Sequence, residues 1–467
     1  MSAADIDDTV ITVLRDAVHG KKDYAVLLGA GASAGAGLPD WNELSVELLV
    51  RSGAIADEET AKAFLAYQDP ALAAEAAKTA AGAGWESVLV DGLYSGAPSD
   101  LRPGALHLAL ANLAAQAQPG DIRLFTLNFD TLLEDALTIV STELGAPVPS
   151  YSRSTFSDRA PSNQFEVHHL HGVIERSGAN ARNVVLTLSE FNDLVTEKSS
   201  WQQAELAQAL GYGPLILAGT SYRDSDIRAW LSELAPKTTS KIVVFLARQG
   251  LGLSKTQFAS VLPSLEKQWK AIDVHAIITQ DHADAAQALR ELPYFEEPDY
   301  CAPSVRAADL WSSCVANFEG LQKEHSDYLR AESVALEAAM GRPSNIVLWV
   351  SNAEGSAVKW SSPDRIYRDA ALLRKVPAGH DSQWIVGRCL GSDDILAEDL
   401  SELSDEVRRW RFVIALPVVV DRPGGPPFTF GAVTLALEHV PDNAELAMWR
   451  LSLEPIAEDW SERLSRL

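Results

Sequence analysis

The chain has 467 residues, of which 47% are hydrophobic and 22% charged, a composition that excludes a disordered protein. Lys and Arg total 39 against 64 Asp and Glu, a net charge of -25, which argues against a protein that grips nucleic-acid backbones. No apolar run approaches the roughly 18 residues of a membrane helix. At roughly 150 residues per domain the length suggests about three units. The three cysteines, Cys301, Cys314 and Cys389, form no CxxC pair, so neither a disulfide framework nor a paired-cysteine zinc site is expected. The N-terminal stretch MSAADIDDTV is acidic and lacks the basic region of a signal peptide. A reducing, cytoplasmic setting is expected.

In chain order, Asp5 to His19 carries apolar residues at helical spacing. Tyr24 to Leu28 is a short continuous apolar run of the kind buried in parallel sheets. Glycines follow, then a helical pattern from Asn42 to Arg51 and an alanine-rich helical stretch to about Ala83. Leu106 to Ala117 reads as a helix, Arg123 to Thr126 as a strand, and NFDTLLEDAL as a turn into a helix. Strands are predicted at Glu166–Leu170, Val184–Leu188, Leu215–Ala218, Lys241–Ala247 and Val274–Ile278, with helices at Ile227–Leu234 and Ala283–Leu292. This alternation predicts an α/β fold with a mainly parallel, doubly wound Rossmann-type sheet and inserted helices over residues 1–295. Residues 296–342 read as a linker: the turn-rich EEPDYCAPS, then one or two helices over Val305 to Met340. Six tryptophans, Trp349, Trp360, Trp384, Trp410, Trp449 and Trp460, lie beyond it. Strand-like runs at Ile346–Ser351, Gln383–Val386, Arg411–Val420 and Phe428–Leu437, the last two joined by a PGG turn, predict a separate α+β domain over 343–467 with an antiparallel hairpin. The acidic run Asp393 to Glu406 is expected to be a solvated helix face and loop.

Four motifs carry candidate chemistry. Gly29-Ala30-Gly31-Ala32-Ser33-Ala34-Gly35-Ala36-Gly37 follows a strand and opens toward a helix, an arrangement that suits a pyrophosphate; a plain tight turn is the alternative. Thr126-Leu127-Asn128-Phe129-Asp130 stands at a strand's carboxyl end, where Asn128 can orient a water or a ribose hydroxyl. Asp130 is either a site residue or the cap of the next helix. In Val167-His168-His169-Leu170-His171-Gly172, His171 ends a strand and can take a proton near neutral pH. His168 and His171 have ligand-like spacing, but no cysteine or clustered carboxylate accompanies them, so no metal is expected; His168 and His169 read as strand residues that pack or hydrogen-bond. Gly219-Thr220-Ser221 could meet a dinucleotide ribose, while Ser221 or Asp224 could instead cap a helix.

Taken in this order, the four motifs resemble the sirtuin family. GAGASAGAGLPDW matches the family's GAGxSxxxGxPDF-type loop, with Trp41 and Asn42 replacing the usual Phe and Arg. Thr126-Leu127-Asn128-Phe129-Asp130 matches T-Q-N-x-D, with Leu127 for Gln, and His171-Gly172 matches the catalytic His before Gly. Gly219-Thr220-Ser221 matches the G-T-S run, and Pro103 with His107 repeats a Pro and His spacing of the family. The likeness covers about residues 20–292. Sirtuin deacylases carry a four-cysteine zinc ribbon after the catalytic His, whereas residues 1–300 here hold no cysteine, and LTLSEF stands in that region. The sequence is therefore more similar to the sirtuin-like domains of bacterial antiphage defence proteins, which hydrolyse NAD to nicotinamide and ADP-ribose.

That resemblance implies NAD as substrate. Gly29, Ala30, Gly31 and Ser33 would hold its pyrophosphate, Asn128 a water and His171 a proton. Asp40 and Asp130 would orient the ribose and the nicotinamide pocket, and Gly219, Thr220 and Ser221 the adenosine ribose. The alternatives are a protein deacylase lacking the zinc module, and a non-catalytic NAD or ADP-ribose sensor in a larger complex, for example with a partner ATPase. The segment from Asn345 weakly resembles GAF domains, which implies a small-molecule sensor or an oligomerisation module. A homo-oligomer and a regulatory ligand or partner at that domain are expected. Trp349, Trp360 and Trp384 read as core or pocket lining, and Cys389 as a buried small hydrophobe.

Overall fold

The computed structural model describes residues 6–21, 23–98, 101–145, 148–176, 180–196, 200–220, 225–400 and 409–467. The chain divides into two compact units: Val13–Arg290, and a second unit of Glu291–Leu467 joined by the chain up to Thr12.

The first unit begins within α1 (Asp8–Val18) and continues through β1 (Tyr24–Leu28), the single short turn α2 (Ala30–Ala34), and a helical module of α3 (Trp41–Arg51), α4 (Glu58–Leu65), α5 (Pro70–Ala81) and α6 (Trp85–Tyr94). It goes on with α7 (Ala105–Ala115), β2 (Ile122–Thr126), α8 (Leu132–Leu144), β3 (Ser150–Arg153) and β4 (Phe165–His169). A small hairpin of β5 (Val173–Glu175) and β6 (Asn180–Arg182) leads to α9 (Leu188–Thr196), α10 (Trp201–Tyr212), β7 (Leu215–Ala218) and α11 (Ser225–Leu234). Then come β8 (Ile242–Ala247), α12 (Lys255–Lys270), β9 (His275–Thr279) and α13 (His282–Glu291). The seven main strands form one parallel sheet in the order β3-β4-β2-β1-β7-β8-β9, an α/β fold of the predicted class.

β1 lies in the middle of this sheet, and Ala25 to Leu28 are fully buried on both faces, which is why the run is apolar without alternation. Ala25, Leu27, Phe125 and Leu127 share a core with Leu206 and Leu210 of α10, Ile227, Trp230 and Leu231 of α11, and Trp269 of α12. A second core joins α3, α5 and α6 to Phe129, Leu132, Ile174 and Leu186. The β5–β6 hairpin and α9 are stitched to the helical module. Glu75 accepts from the backbone and hydroxyl of Ser189, Lys78 pairs with Glu190, Glu86 accepts from Ala181 N–H, and Tyr94 donates to the Ile174 carbonyl.

One predicted strand of this unit is overturned. Residues 184–187 belong to no strand, and α9 starts at Leu188. Asn183 takes φ +53, which ends the β6 strand. The Glu190 carboxylate then accepts from Leu186 N–H and Thr187 N–H and caps the helix, an energy that a strand at this place would forgo. The alanine-rich stretch is two helices, α4 and α5, each started by an aspartate, Asp57 and Asp69.

The second unit holds α14 (Pro303–Ala316) and α15 (Phe318–Met340), then β10 (Ser344–Ser351), β11 (Ser356–Ser361), β12 (Lys375–Pro377), α16 (Ile385–Ser392), β13 (Leu396–Asp399), β14 (Phe412–Val420), β15 (Phe428–Leu437) and α17 (Asn443–Ser465). Its sheet is antiparallel, in the order β12-β11-β10-β15-β14-β13, and β14 and β15 form the predicted hairpin. Alternation along β10 sends Ile346, Leu348 and Val350 into one core with α14, α15 and α17, and Val347 and Trp349 into another beneath α16. The span expected as a linker is helical, and Leu310, Phe318, Leu321 and Leu329 from it belong to the first of these cores.

Two expectations fail here. The strand placed at Gln383–Val386 is the start of α16, because Ile385, Val386, Cys389 and Leu390 repeat at helical spacing on its buried side. The acidic run, expected as helix and loop, contains the edge strand β13, paired with β14; residues 401–408 of that run lie outside the described residues. Trp349 and Trp360 are core, while Trp384 is partly exposed. Cys389 is buried and burial pushes its thiol well above the usual range.

Candidate active site

The register of the sheet lines up the predicted motifs. Leu28 pairs with both Thr126 and Ala218, and Thr126 pairs with His169. The residues that leave these strands, Gly29, Leu127, Gly219 and Leu170, therefore emerge side by side at the carboxyl edge. The chain passes from β1 to β2 on one side while β7 flanks the other, so this edge is the switch point where open α/β sheets bind ligands.

Here the glycines answer to crowding. Gly29 N–H donates to the Ala218 carbonyl and Gly31 N–H to the Gly219 carbonyl. A Cβ on Gly29 would stand 2.6 Å from Gly219 O and from Thr220 Cα. Gly219 takes φ +67, where a side chain is also strained. Two loops thus touch backbone to backbone, and Ala30 begins the short α2 directly above that contact. Gly31 meets the imidazole of His282, at the start of α13: a Cβ there would lie 2.6 Å from its Nε2.

Asn128 is buried at the end of β2. Its Nδ2 donates to Ser33 Oγ at 2.7 Å, tying the β2 loop to the glycine loop, and its backbone N–H donates to Thr126 Oγ1. Its Oδ1 is buried without a hydrogen-bond partner among the described residues, and so is Thr220 Oγ1 at the end of β7. Ser221 and Asp224 lie outside the described residues.

His171 is buried beyond the end of β4, with Nε2 2.6 Å from Asp226 Oδ2 in the first turn of α11. Burial alone would raise the Asp226 carboxyl; the charge and hydrogen bond of His171 outweigh it and hold the carboxyl below its usual range. The Phe191 ring of α9 stands edge-on to His171, with centroids 5.5 Å apart.

His169 points elsewhere. Its Nδ1 lies 3.1 Å from the Asn128 carbonyl and its Nε2 2.8 Å from Glu134 Oε1. Both partners are acceptors, so both nitrogens donate only when the ring is an imidazolium. Burial would lower the His169 pKa, but Glu134 outweighs it and raises it; for Glu134 burial would raise the carboxyl, and His169 and the Ser152 hydroxyl bring it down. His168 occupies a different cluster, beside Glu166, Glu205 and the buried Arg153, and burial followed by the Arg153 charge drives it well below its usual range. The ligand-like spacing of His168 and His171 is therefore not realised as a shared site, and the described residues contain no metal-binding group of three.

Both aspartates of the motifs bond to the start of a helix. Asp40 is exposed and forms a capping box with Glu43 at the start of α3. Asp130 is buried, and its Oδ1 accepts from Leu132 N–H at the start of α8. Four side chains at this edge escape a reading of the sequence: Asp226, Glu134, Phe191 and His282. Asp226 and Glu134 leave a signal, each as an acid in the first turn of a helix that follows a sheet strand.

Residues 123–277 match the SIR2-like domain family. The match takes in Asn128, His171 and Gly219, while β1 and the glycine loop precede it. No curated protein matches the chain. Among solved structures, Sir2Tm bound to a propionylated peptide shares 13% identity, over 61% of this chain and 99% of that one, with a TM-score of 0.31. SIR2 in complex with the inhibitor EX-527, 2'-O-acetyl-ADP-ribose and a deacetylated p53 peptide shares 15%, over 61% and 100%, with a TM-score of 0.29. The free methionine-R-sulfoxide reductase of Neisseria meningitidis shares 16%, over 34% of this chain and 92% of that one, with a TM-score of 0.22. No helix among the described residues is long and apolar enough to cross a membrane.

Proposed function

We propose that the first unit hydrolyses NAD to nicotinamide and ADP-ribose. One observation carries this reading. At the switch point, two buried polar atoms without partners among the described residues, Asn128 Oδ1 and Thr220 Oγ1, flank the glycine loop, and a buried imidazole ends the strand next door. Folded proteins rarely leave such atoms unpaired, so a polar ligand is the natural partner. The backbone contact at Gly29 and Gly219 leaves a loop of small residues, which suits a diphosphate.

In this reading Gly29, Ala30, Gly31 and Ser33 bind the diphosphate, and Gly219, Thr220 and Ser221 the adenosine ribose. Asn128, held by Ser33, directs a water toward the anomeric carbon. Asp40 and Asp130 orient the ribose and nicotinamide ends through the helices they start. The glycosidic C–N bond breaks, a C–O bond to water forms, and His171 accepts the proton released. The missing cysteines favour this reading over a zinc-dependent deacylase architecture, and the resemblance to antiphage sirtuin-like domains favours a cytoplasmic effector that depletes NAD. The second unit then serves regulation, as a GAF-like ligand sensor or an oligomerisation module.

Purified full-length protein given NAD, and no acylated peptide, is expected to release nicotinamide. Asn128→Ala and His171→Ala should each reduce release by about 100-fold or more. Full turnover in both variants, or release that depends on an acyl-peptide, would overturn the proposal. Running the assay across size-exclusion fractions identifies the assembly that carries the activity.

A further inference from the structure

A buried imidazole base needs a fixed tautomer, because the two nitrogens of the neutral ring play opposite roles. The two neighbouring histidines solve this differently. His169 has one nitrogen on the Asn128 carbonyl and the other on Glu134, so its protons are spent on structure. His171 has its Nε2 on a carboxylate, Asp226, brought from a helix 55 positions further along the chain. Both members of the pair are buried. The backbone at His171 is also pinned: its carbonyl accepts from Val185 N–H at 2.9 Å, and Gly172, at φ +90, lies so close to Asn183 that a Cβ would come within 2.3 Å of the Asn183 carbonyl oxygen. The edge-on Phe191 sets the plane of the ring.

We propose that Asp226 is the positioning residue of the site: it accepts the Nε2–H of His171, so that Nδ1 is the nitrogen that takes the proton from substrate, and it stabilises the imidazolium that results. This rests on His171 being the base of the proposed NAD hydrolysis. The proton moves from a ribose hydroxyl or the attacking water to Nδ1, while the Nε2 proton stays on the ring, donated to Asp226. Asp226 touches no reacting atom and acts only through His171. Among the described residues, the Asp226 carboxylate from α11 and the uncharged Phe191 ring from α9 stand against the imidazole. On the neighbouring strand end, the Asp130 and Glu134 carboxylates are held by Leu132 N–H and by His169.

Full-length protein labelled at histidine, wild type and Asp226→Asn, decides the matter by NMR titration, with the His171 signal assigned by its loss in His171→Ala. Wild type should show the Nε2–H tautomer when neutral, and its apparent pKa should fall by about 1–3 units in Asp226→Asn. Turnover supplies the second readout. Asp226→Asn should lower kcat by about 100-fold or more with KM within about twofold, Asp226→Glu should recover part of the loss, and adding Asp226→Asn to His171→Ala should cost nothing further. A His171 titration and tautomer unchanged in Asp226→Asn, in protein whose thermal melting is that of wild type, overturns the proposal. If wild type releases no nicotinamide, the proposed hydrolysis falls while the ring titration still decides the pairing.

Discussion

The histidines of VHHLHG show how little a residue type says until its partners are known. Three imidazoles within four positions meet three environments: His168 an arginine and two glutamates, His169 a glutamate and a carbonyl, His171 an aspartate and an aromatic edge. The His169–Glu134 pair lies directly under Asn128, whose carbonyl it holds, so it supports the residue proposed to direct water. Removing one member of a buried ion pair strands the other charge. Glu134→Ala is therefore expected to lower unfolding free energy by about 3–5 kcal/mol, read by urea denaturation, a larger loss than the roughly 1 kcal/mol of an ordinary surface change. The placement of Asn128 and His171 just beyond strand ends was legible in the sequence, because each stands in a motif that closes an apolar run. Asp226 and Glu134 were not, because their meaning depends on contacts across 55 and 35 positions of chain.

Elements were legible where one signal acted alone. The buried run of β1, the capped α3 and the hairpin of β14 and β15 follow from apolar period, cap and turn. Mistakes arose where two signals competed. Val184 to Leu188 is rich in β-branched and apolar residues, yet Glu190 caps Leu186 and Thr187 and converts the segment into a helix start. Asp40 tests the same physics at a motif residue. An Asn retains the cap acceptor and an Ala does not, so Asp40→Ala should cost about 1 kcal/mol of stability by thermal melting while Asp40→Asn costs a few tenths. If turnover follows melting through this pair, the residue acts through the position of α3; if Asp40→Asn loses turnover at unchanged melting, its charge is used by the ligand.

At the scale of the whole molecule, both units carry a carboxyl held protonated to unusually high pH. Burial, then the nearby Asp281, raises Asp284 to about 7, and burial, with Asp459 adding to it, raises Glu332 to about 7 against the hydrogen bond from Trp460. A carboxyl whose folded pKa is raised favours the folded state at low pH, and that contribution is lost as pH rises through the folded value. Melting temperature is expected to fall between about pH 5 and pH 7.5, and Asp284→Asn with Glu332→Gln should flatten the slope; an unchanged slope would remove both groups from the account. The net charge of -25 is a property of composition, and it argues against nucleic acid as the expected partner. By itself the sequence determined the fold class, the order of the strands' motifs and the absence of cysteine before residue 301, because apolar period, glycine spacing and residue counts are local or additive. Only the tertiary structure decided which polar groups meet at the carboxyl edge, which histidine faces which carboxylate, and which buried oxygens lack partners. Those are matters of sheet register and helix packing, set by contacts between residues far apart in the chain.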